Sequence, residues 1–214
     1  MSPLRIASIA FLAAFALLFS TAAPAQEGAP VEGRDYQLID NGQTFANHKQ
    51  KIEVAEVFGY WCHHCRNFQP LVDTWKATLP ADVDFVYVPA TFNPNDPFAR
   101  AYFAAQQLKI AERAHLALFR AIHDERSFPA NASAEELAAF YANYGVAAEQ
   151  FLAAMNSPEV ASQMRWARKF IENAKVQGTP MLIVGGKYRV LGRSHADAIR
   201  IAGQLVAQLR AQRR

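Results

Sequence analysis

Two cysteines stand three apart in the stretch Phe58-Gly59-Tyr60-Trp61-Cys62-His63-His64-Cys65, and they are the only two in a chain of 214 residues. An apolar run that reads as a buried strand leads directly into them. A Cys-x-x-Cys pair at a strand-to-helix junction is suited to thiol–disulfide exchange. Two sulfurs one helical turn apart can close a disulfide with each other. The first also sits at a helix N-terminus, where unpaired N–H groups and the helix dipole favour a thiolate. Zinc is the competing use of Cys-His-His-Cys. Four ligands in consecutive positions cannot wrap a tetrahedral ion, because structural sites separate their ligand pairs by a dozen or so residues. His48, His115, His123 and His195 form no ligand spacing either. No metal and no cofactor is expected.

The N-terminus gives these cysteines a context. Arg5, the uncharged apolar stretch from Ile6 to Phe19, and the small residues of Ala23-Pro24-Ala25 read as a secretory signal over residues 1–25. The 14-residue apolar stretch falls short of a membrane span, which takes about 20 residues. Cleavage after Ala25 leaves an exported chain starting at Gln26; the alternative is an uncleaved membrane anchor. Exported proteins use cysteines mostly as structural staples. A bridge across two residues closes too short a loop to add much stability, and a chain of this length builds an adequate core without one. Reactivity is the better explanation of the pair. Charge adds little: Lys and Arg number 22 against 19 Asp and Glu, and no basic run precedes the tail Arg210–Arg214. Nothing marks a nucleic-acid binder.

The pattern along the chain predicts a short edge strand at Tyr36–Ile39 and a core strand at Lys51–Phe58. A helix comes next, from Cys62 to about Thr78, bent at Pro70, and then a second strand at Asp84–Val88. Ile52, Val54, Glu56 and Phe58 share one strand face, which sets a carboxylate among core residues. Beyond that strand lies a long alanine-rich helical section, with 3.6-residue stripes near 98–110, 114–124, 134–144, 147–155 and 158–173. Ser133 opens a capping box with Glu136, and Ser157-Pro158 is an N-cap followed by proline. Met181–Val184, the turn Gly185-Gly186 and Lys187–Leu191 read as a hairpin, and Ser194 caps a last helix. The section between Cys65 and Pro180 is far longer than a small βαβ core needs, so the surplus reads as an inserted helical unit.

With these residues in place, the chain resembles the DsbA-type periplasmic disulfide oxidoreductases. The resemblance rests on the Phe58–Cys65 motif, on Gly178-Thr179-Pro180 before the hairpin, and on the helical block between them. It implies an α/β protein, a thioredoxin fold with an inserted all-helical domain. The thioredoxin-like part would comprise 26–96 and 174–214, and the insert 97–173. It further implies that Cys62 is the exposed nucleophile, Cys65 its shielded partner, Pro180 a cis-proline facing both, and Glu56 the family's buried acid. His63 stands where the best-known members carry proline, and Thr179 where many carry valine. The buried lysine that often partners the acid is not evident in Asp84–Thr91.

The expected activity is donation of the Cys62–Cys65 disulfide to reduced, unfolded exported polypeptides through a mixed disulfide. His64, and with it His63, is expected to stabilise the Cys62 thiolate through imidazole or backbone amide; the alternative for both is a solvated turn residue. A buried Glu56 would have a raised pKa and relay a proton to Cys65, against the alternative of a partly exposed strand-end acid. Thr179 would offer its backbone to an extended client. Tyr60 and Trp61 read equally as a client surface or as core. The lone cysteine pair provides no second redox centre, so a recycling partner is expected, by resemblance a membrane quinone-linked oxidase of the DsbB type. No dimerisation segment precedes Tyr36, which points to a monomer. A disulfide reductase or isomerase of the same fold stays open. In other classes, so do a redox-inactive peptide-binding chaperone and a metal-binding protein.

Overall fold

The computed structural model describes residues 28–48 and 50–213, so the expected signal at 1–25 lies outside the described residues. Five strands form one sheet: Tyr36–Leu38 (β1), Ile52–Phe58 (β2), Val83–Pro89 (β3), Met181–Val184 (β4) and Tyr188–Val190 (β5), in the order β1-β5-β4-β2-β3. β2 and β3 run parallel and the other neighbours antiparallel. All seven residues of β2 are buried. A strand covered on both faces can be apolar throughout, which is why the run before the cysteines does not simply alternate.

His63–Lys76 (α1) makes the parallel crossover from β2 to β3 and continues through Pro70. Five helices intervene before the sheet resumes: Pro97–Gln107 (α2), Ala111–His123 (α3), Ala134–Ala142 (α4), Ala148–Met155 (α5) and Pro158–Asn173 (α6). His195–Gln212 (α7) closes the chain. Local chemistry sets most of the starts. Asp96 caps α2 ahead of Pro97, Ser133 and Glu136 form a complete capping box on α4, and Ser157 caps α6 ahead of Pro158. The stripe expected to run to 110 breaks earlier, because Lys109 takes a left-handed φ of 58° and α3 restarts at Ala111. At the hairpin both Gly185 and Gly186 have positive φ, 61° and 64°, the combination that glycine adopts without steric cost.

Two apolar clusters flank the sheet. Ile52 and Val54 pack with Phe68 and Val72 of α1, Leu182 and Val184 of β4, and Ile201 and Leu205 of α7. Ala55 and Val57 face the helical block. Phe58 departs from the expected grouping. Despite its parity with Ile52 and Val54 it belongs to the second cluster, its ring lying 5.2 Å from Tyr102 and 5.9 Å from Phe119. At this end of β2 the helices α2 and α3 replace α1 and α7 as the cover. Strand order and pairing are those of the thioredoxin fold, with α2–α6 inserted between β3 and β4. Among the described residues no helix is long and apolar enough to cross a membrane.

Candidate active site

β2 delivers the chain to Gly59, and a tight turn puts Cys62 at the N-cap of α1, its backbone N–H bonded to the Gly59 carbonyl at 3.0 Å. The Cys62 sulfur takes the place of a capping oxygen and accepts from the Cys65 N–H at 3.3 Å. Both cysteines are thiols here. Cys62 is 7% exposed and Cys65 fully buried, so an incoming sulfur can reach only the first.

The two thiols are pushed in opposite directions. The Cys62 pKa falls from 9.0 to about 5, chiefly because the Cys65 thiol donates a hydrogen bond to it. Partial burial opposes the shift, and the Thr179 side chain and the backbone N–H groups of Cys65 and His64 add to it. Cys65 is raised, first by burial and then by its bond to Cys62. At neutral pH the motif therefore holds one thiolate and one thiol.

Facing the sulfurs is the loop before β4. Its Thr179–Pro180 peptide bond is cis, and the Thr179 carbonyl accepts from the Cys62 thiol at 3.3 Å. That contact serves the protonated sulfur and is given up when Cys62 ionises. A groove of about 420 Å³ runs from His64, Thr179 and Pro180 along the β5–α7 loop to His195.

His63 and His64 are exposed. His64 acts on Cys62 through its backbone N–H; its ring lies 6.3 Å from that of His195. His63 hydrogen-bonds Asn67 at 3.1 Å, and its ring is 5.7 Å from that of His123. His123 in turn bonds the Tyr60 carbonyl at 2.7 Å. The fold thus assembles four imidazoles around the motif, two of them from distant helices. Spacing along the chain could not reveal that. Among the described residues no group of His, Cys, Asp and Glu is arranged to hold a metal ion. Tyr60 is core, with its hydroxyl 2.9 Å from His115 Nδ1, whereas Trp61 lies partly exposed and donates to Asp96 at 3.1 Å.

Glu56 is fully buried. Gln69 Nε2 donates to its Oε1 at 3.3 Å, and Oε2 has no partner within the protein. Tyr87, the register partner of Glu56 on β3, donates to Gln69 Oε1 at 3.1 Å, and Lys76 Nζ donates to the Tyr87 hydroxyl at 3.3 Å. The acid therefore meets its lysine through two neutral groups, and that lysine comes from α1, not from Asp84–Thr91. Burial raises the Glu56 pKa from 4.5 to about 8, against the smaller pull of Gln69 and Lys76. For an acid whose folded pKa is raised, the stability is full below 4.5 and is lost as pH climbs through about 8. Glu56→Gln should remove that loss. In urea unfolding of the disulfide form, the variant should gain on the parent by up to about 1.4 kcal/mol per pH unit across this window. A constant difference between the two proteins from pH 5 to pH 8 would show that Glu56 ionises without cost.

Comparison with known proteins matches this geometry. The DSBA-like thioredoxin domain model matches residues 96–202, which take in the helical block, β4, β5 and the start of α7. The chain is 34% identical over 202 residues to the thiol:disulfide interchange protein DsbA of Pseudomonas aeruginosa, covering 92% of this chain and 93% of that protein. A span of that coverage includes the Cys62–Cys65 motif, which the domain model leaves out. The DsbA of Burkholderia cepacia is 30% identical over 83% of this chain and 82% of its own. Among solved structures, the oxidoreductase DsbA from Xylella fastidiosa superposes with a TM-score of 0.83 at 45% identity, over 86% of this chain and 100% of that one. The sheet order, the placement of the cysteine pair on α1 and relatives matching along nearly their whole length agree: this chain belongs to the DSBA-like thioredoxin domain family.

Proposed function

We propose that this protein is a periplasmic thiol:disulfide oxidoreductase that donates the Cys62–Cys65 disulfide to reduced, unfolded exported polypeptides. The observation that carries the reading is the contrast between the two sulfurs, one reachable and held as a thiolate near neutral pH, the other buried and kept protonated. In the disulfide form a client thiolate attacks Cys62 Sγ and the electron pair of the broken S–S bond leaves on Cys65. Cys65 then takes a proton, and Glu56, buried and neutral below about pH 8, is assigned as its source. A second client thiolate attacks the client's own sulfur in the mixed disulfide and expels Cys62 as a thiolate. The client has lost two electrons and the protein has gained them. A stabilised Cys62 thiolate is a good leaving group and favours the reduced form, which makes the protein an oxidant.

The thioredoxin-like part is assigned to 26–96 and 174–214 and the helical part to 97–173, with Thr179 and Pro180 presenting an edge to the client. Export rests on the N-terminal signal pattern. After each turnover the dithiol must be reoxidised, and a membrane quinone-linked oxidase of the DsbB type is the assigned partner. The protein in its disulfide form, mixed with a reduced denatured client and no other oxidant, should yield client disulfides in proportion to the protein added. Its equilibrium with glutathione fixes the direction. A potential near that of thioredoxin, roughly −270 mV, would make it a reductase. Cys65→Ser, whose Cys62 forms mixed disulfides that it has no second cysteine of its own to release, should retain both clients and the membrane oxidase; capture of clients alone would remove the recycling assignment.

A further inference from the structure

The groove beside Cys62 is built from two kinds of residue. Its apolar wall includes Phe68, Met181, Leu182 and Val190. Its polar rim carries His64, Arg193 and His195, and no carboxylate lines it. The rim is set by packing. A Cβ on Gly192 would lie 2.5 Å from the backbone N of Ala198, so only glycine lets the β5–α7 loop lie this close on α7. The His195 ring then sits 5.0 Å from Phe68 and 6.3 Å from His64. Arg193 is exposed. The nearest acid on α7, Asp197, accepts from the Arg193 backbone N–H at 3.0 Å and from Arg200 Nη2 at 2.6 Å. Arg200 and the loop backbone hold that carboxylate, and the charge on the rim is that of the exposed Arg193, while His195, whose pKa burial lowers, adds ring hydrogen-bonding groups.

We infer that this rim selects client segments that carry a carboxylate close to the reacting cysteine, with His64, Arg193 and His195 as its specificity residues. The inference rests on the proposed oxidoreductase activity. A client strand laid along Thr179 with its cysteine at Cys62 sends alternate side chains to the same side. The side chain two residues away, about 7 Å along the strand, falls over the groove. An Asp or Glu there meets the basic rim while apolar neighbours meet the wall. A lysine there meets only repulsion.

The test uses short dithiol peptides with Asp two residues before or after the first cysteine, their Asn twins and their Lys twins. Each is reacted with the disulfide form of the full protein, and each rate constant is corrected for that peptide's own thiolate fraction. One of the two Asp peptides should react about fivefold faster than its Asn twin at low salt, the size expected of a solvent-exposed ion pair. The Lys twin should be slower than either, and the preference should shrink as ionic strength rises. Arg193→Gln combined with His195→Gln should bring the Asp-to-Asn ratio close to one, whereas Arg193→Lys should keep it. Equal corrected rates in the parent protein, or a preference that survives the double substitution, would overturn the inference while leaving the oxidoreductase reading in place. Failure of every peptide to be oxidised would overturn both.

Discussion

Replacing Cys62 with serine should reduce client oxidation to the rate of the buffer alone. The expectation comes from which sulfur can be reached: Cys65 has no exposed surface, and its raised pKa keeps it a thiol. Neither attack on it nor departure from it can substitute for chemistry at Cys62. The same asymmetry can be read in the unmodified protein by alkylation at pH 6. With a pKa of about 5, Cys62 is about 90% thiolate there, against about 0.3% for an ordinary thiol of pKa near 8.5. A low-pKa thiolate is also a weaker nucleophile, with a Brønsted slope of about 0.4–0.5. The two effects together leave Cys62 roughly five- to tenfold faster than a free cysteine. Cys65 should remain unlabelled under the same conditions. A Cys62→Ser protein that still oxidised its client, or a native protein labelled first at Cys65, would reverse the assignment of nucleophile and partner.

How much of the fold and the site is legible in the sequence depends on how far apart in the chain the contributing residues lie. The Cys-x-x-Cys pair, the strand before it and the helix after it are contiguous, so pattern and spacing locate them. The helix caps at Ser133, Ser157 and Ser194 are equally readable, because a cap and its helix are neighbours. Parity misplaces Phe58 because it assigns a face but not what covers it, and the cover changes along β2 from α7 to the helical block. Gln69 and Lys76 escape notice as partners of Glu56. The chain reaches them only by folding α1 back over β2, and Gln69 one turn after Cys65 carries no signal of its own. His195 and Arg193 enter the site from the other end of the chain, more than 120 residues beyond Cys62. His64 stands out by its position, yet its contribution to the thiolate comes through its backbone N–H, a group that every residue but proline would supply there.

The reduced and disulfide forms should differ in stability by an amount that depends on pH in a defined way. In the reduced form Cys62 titrates at about 5 when folded and near 8.5 when unfolded. A depressed folded pKa gives stability that is present above the unfolded value and is lost as pH falls through the folded one. Between about pH 5 and 8.5 the unfolded dithiol binds one proton more than the folded one, so its stability rises by about 1.4 kcal/mol per pH unit. Above pH 8.5 the sign reverses. The unfolded chain then loses the proton of Cys65 as well, while the folded protein keeps it, because burial and the neighbouring sulfur raise that thiol. The disulfide form has neither proton in either state, and Glu56 titrates in both forms, so to first order it drops out of the difference. Stability of the dithiol minus stability of the disulfide should therefore climb from pH 5, peak near 8.5 and fall beyond it. By the thermodynamic cycle that links folding to reduction, each 1.4 kcal/mol of this gap is about 30 mV in the potential of the folded motif relative to the same motif unfolded. Urea unfolding of both forms at half-unit steps from pH 4.5 to 10 measures the curve. A gap that stays level between pH 5 and 8.5 would mean that Cys62 is an ordinary thiol in the folded protein. The oxidising power would then have to come from strain in the disulfide form, with thiolate stabilisation contributing nothing.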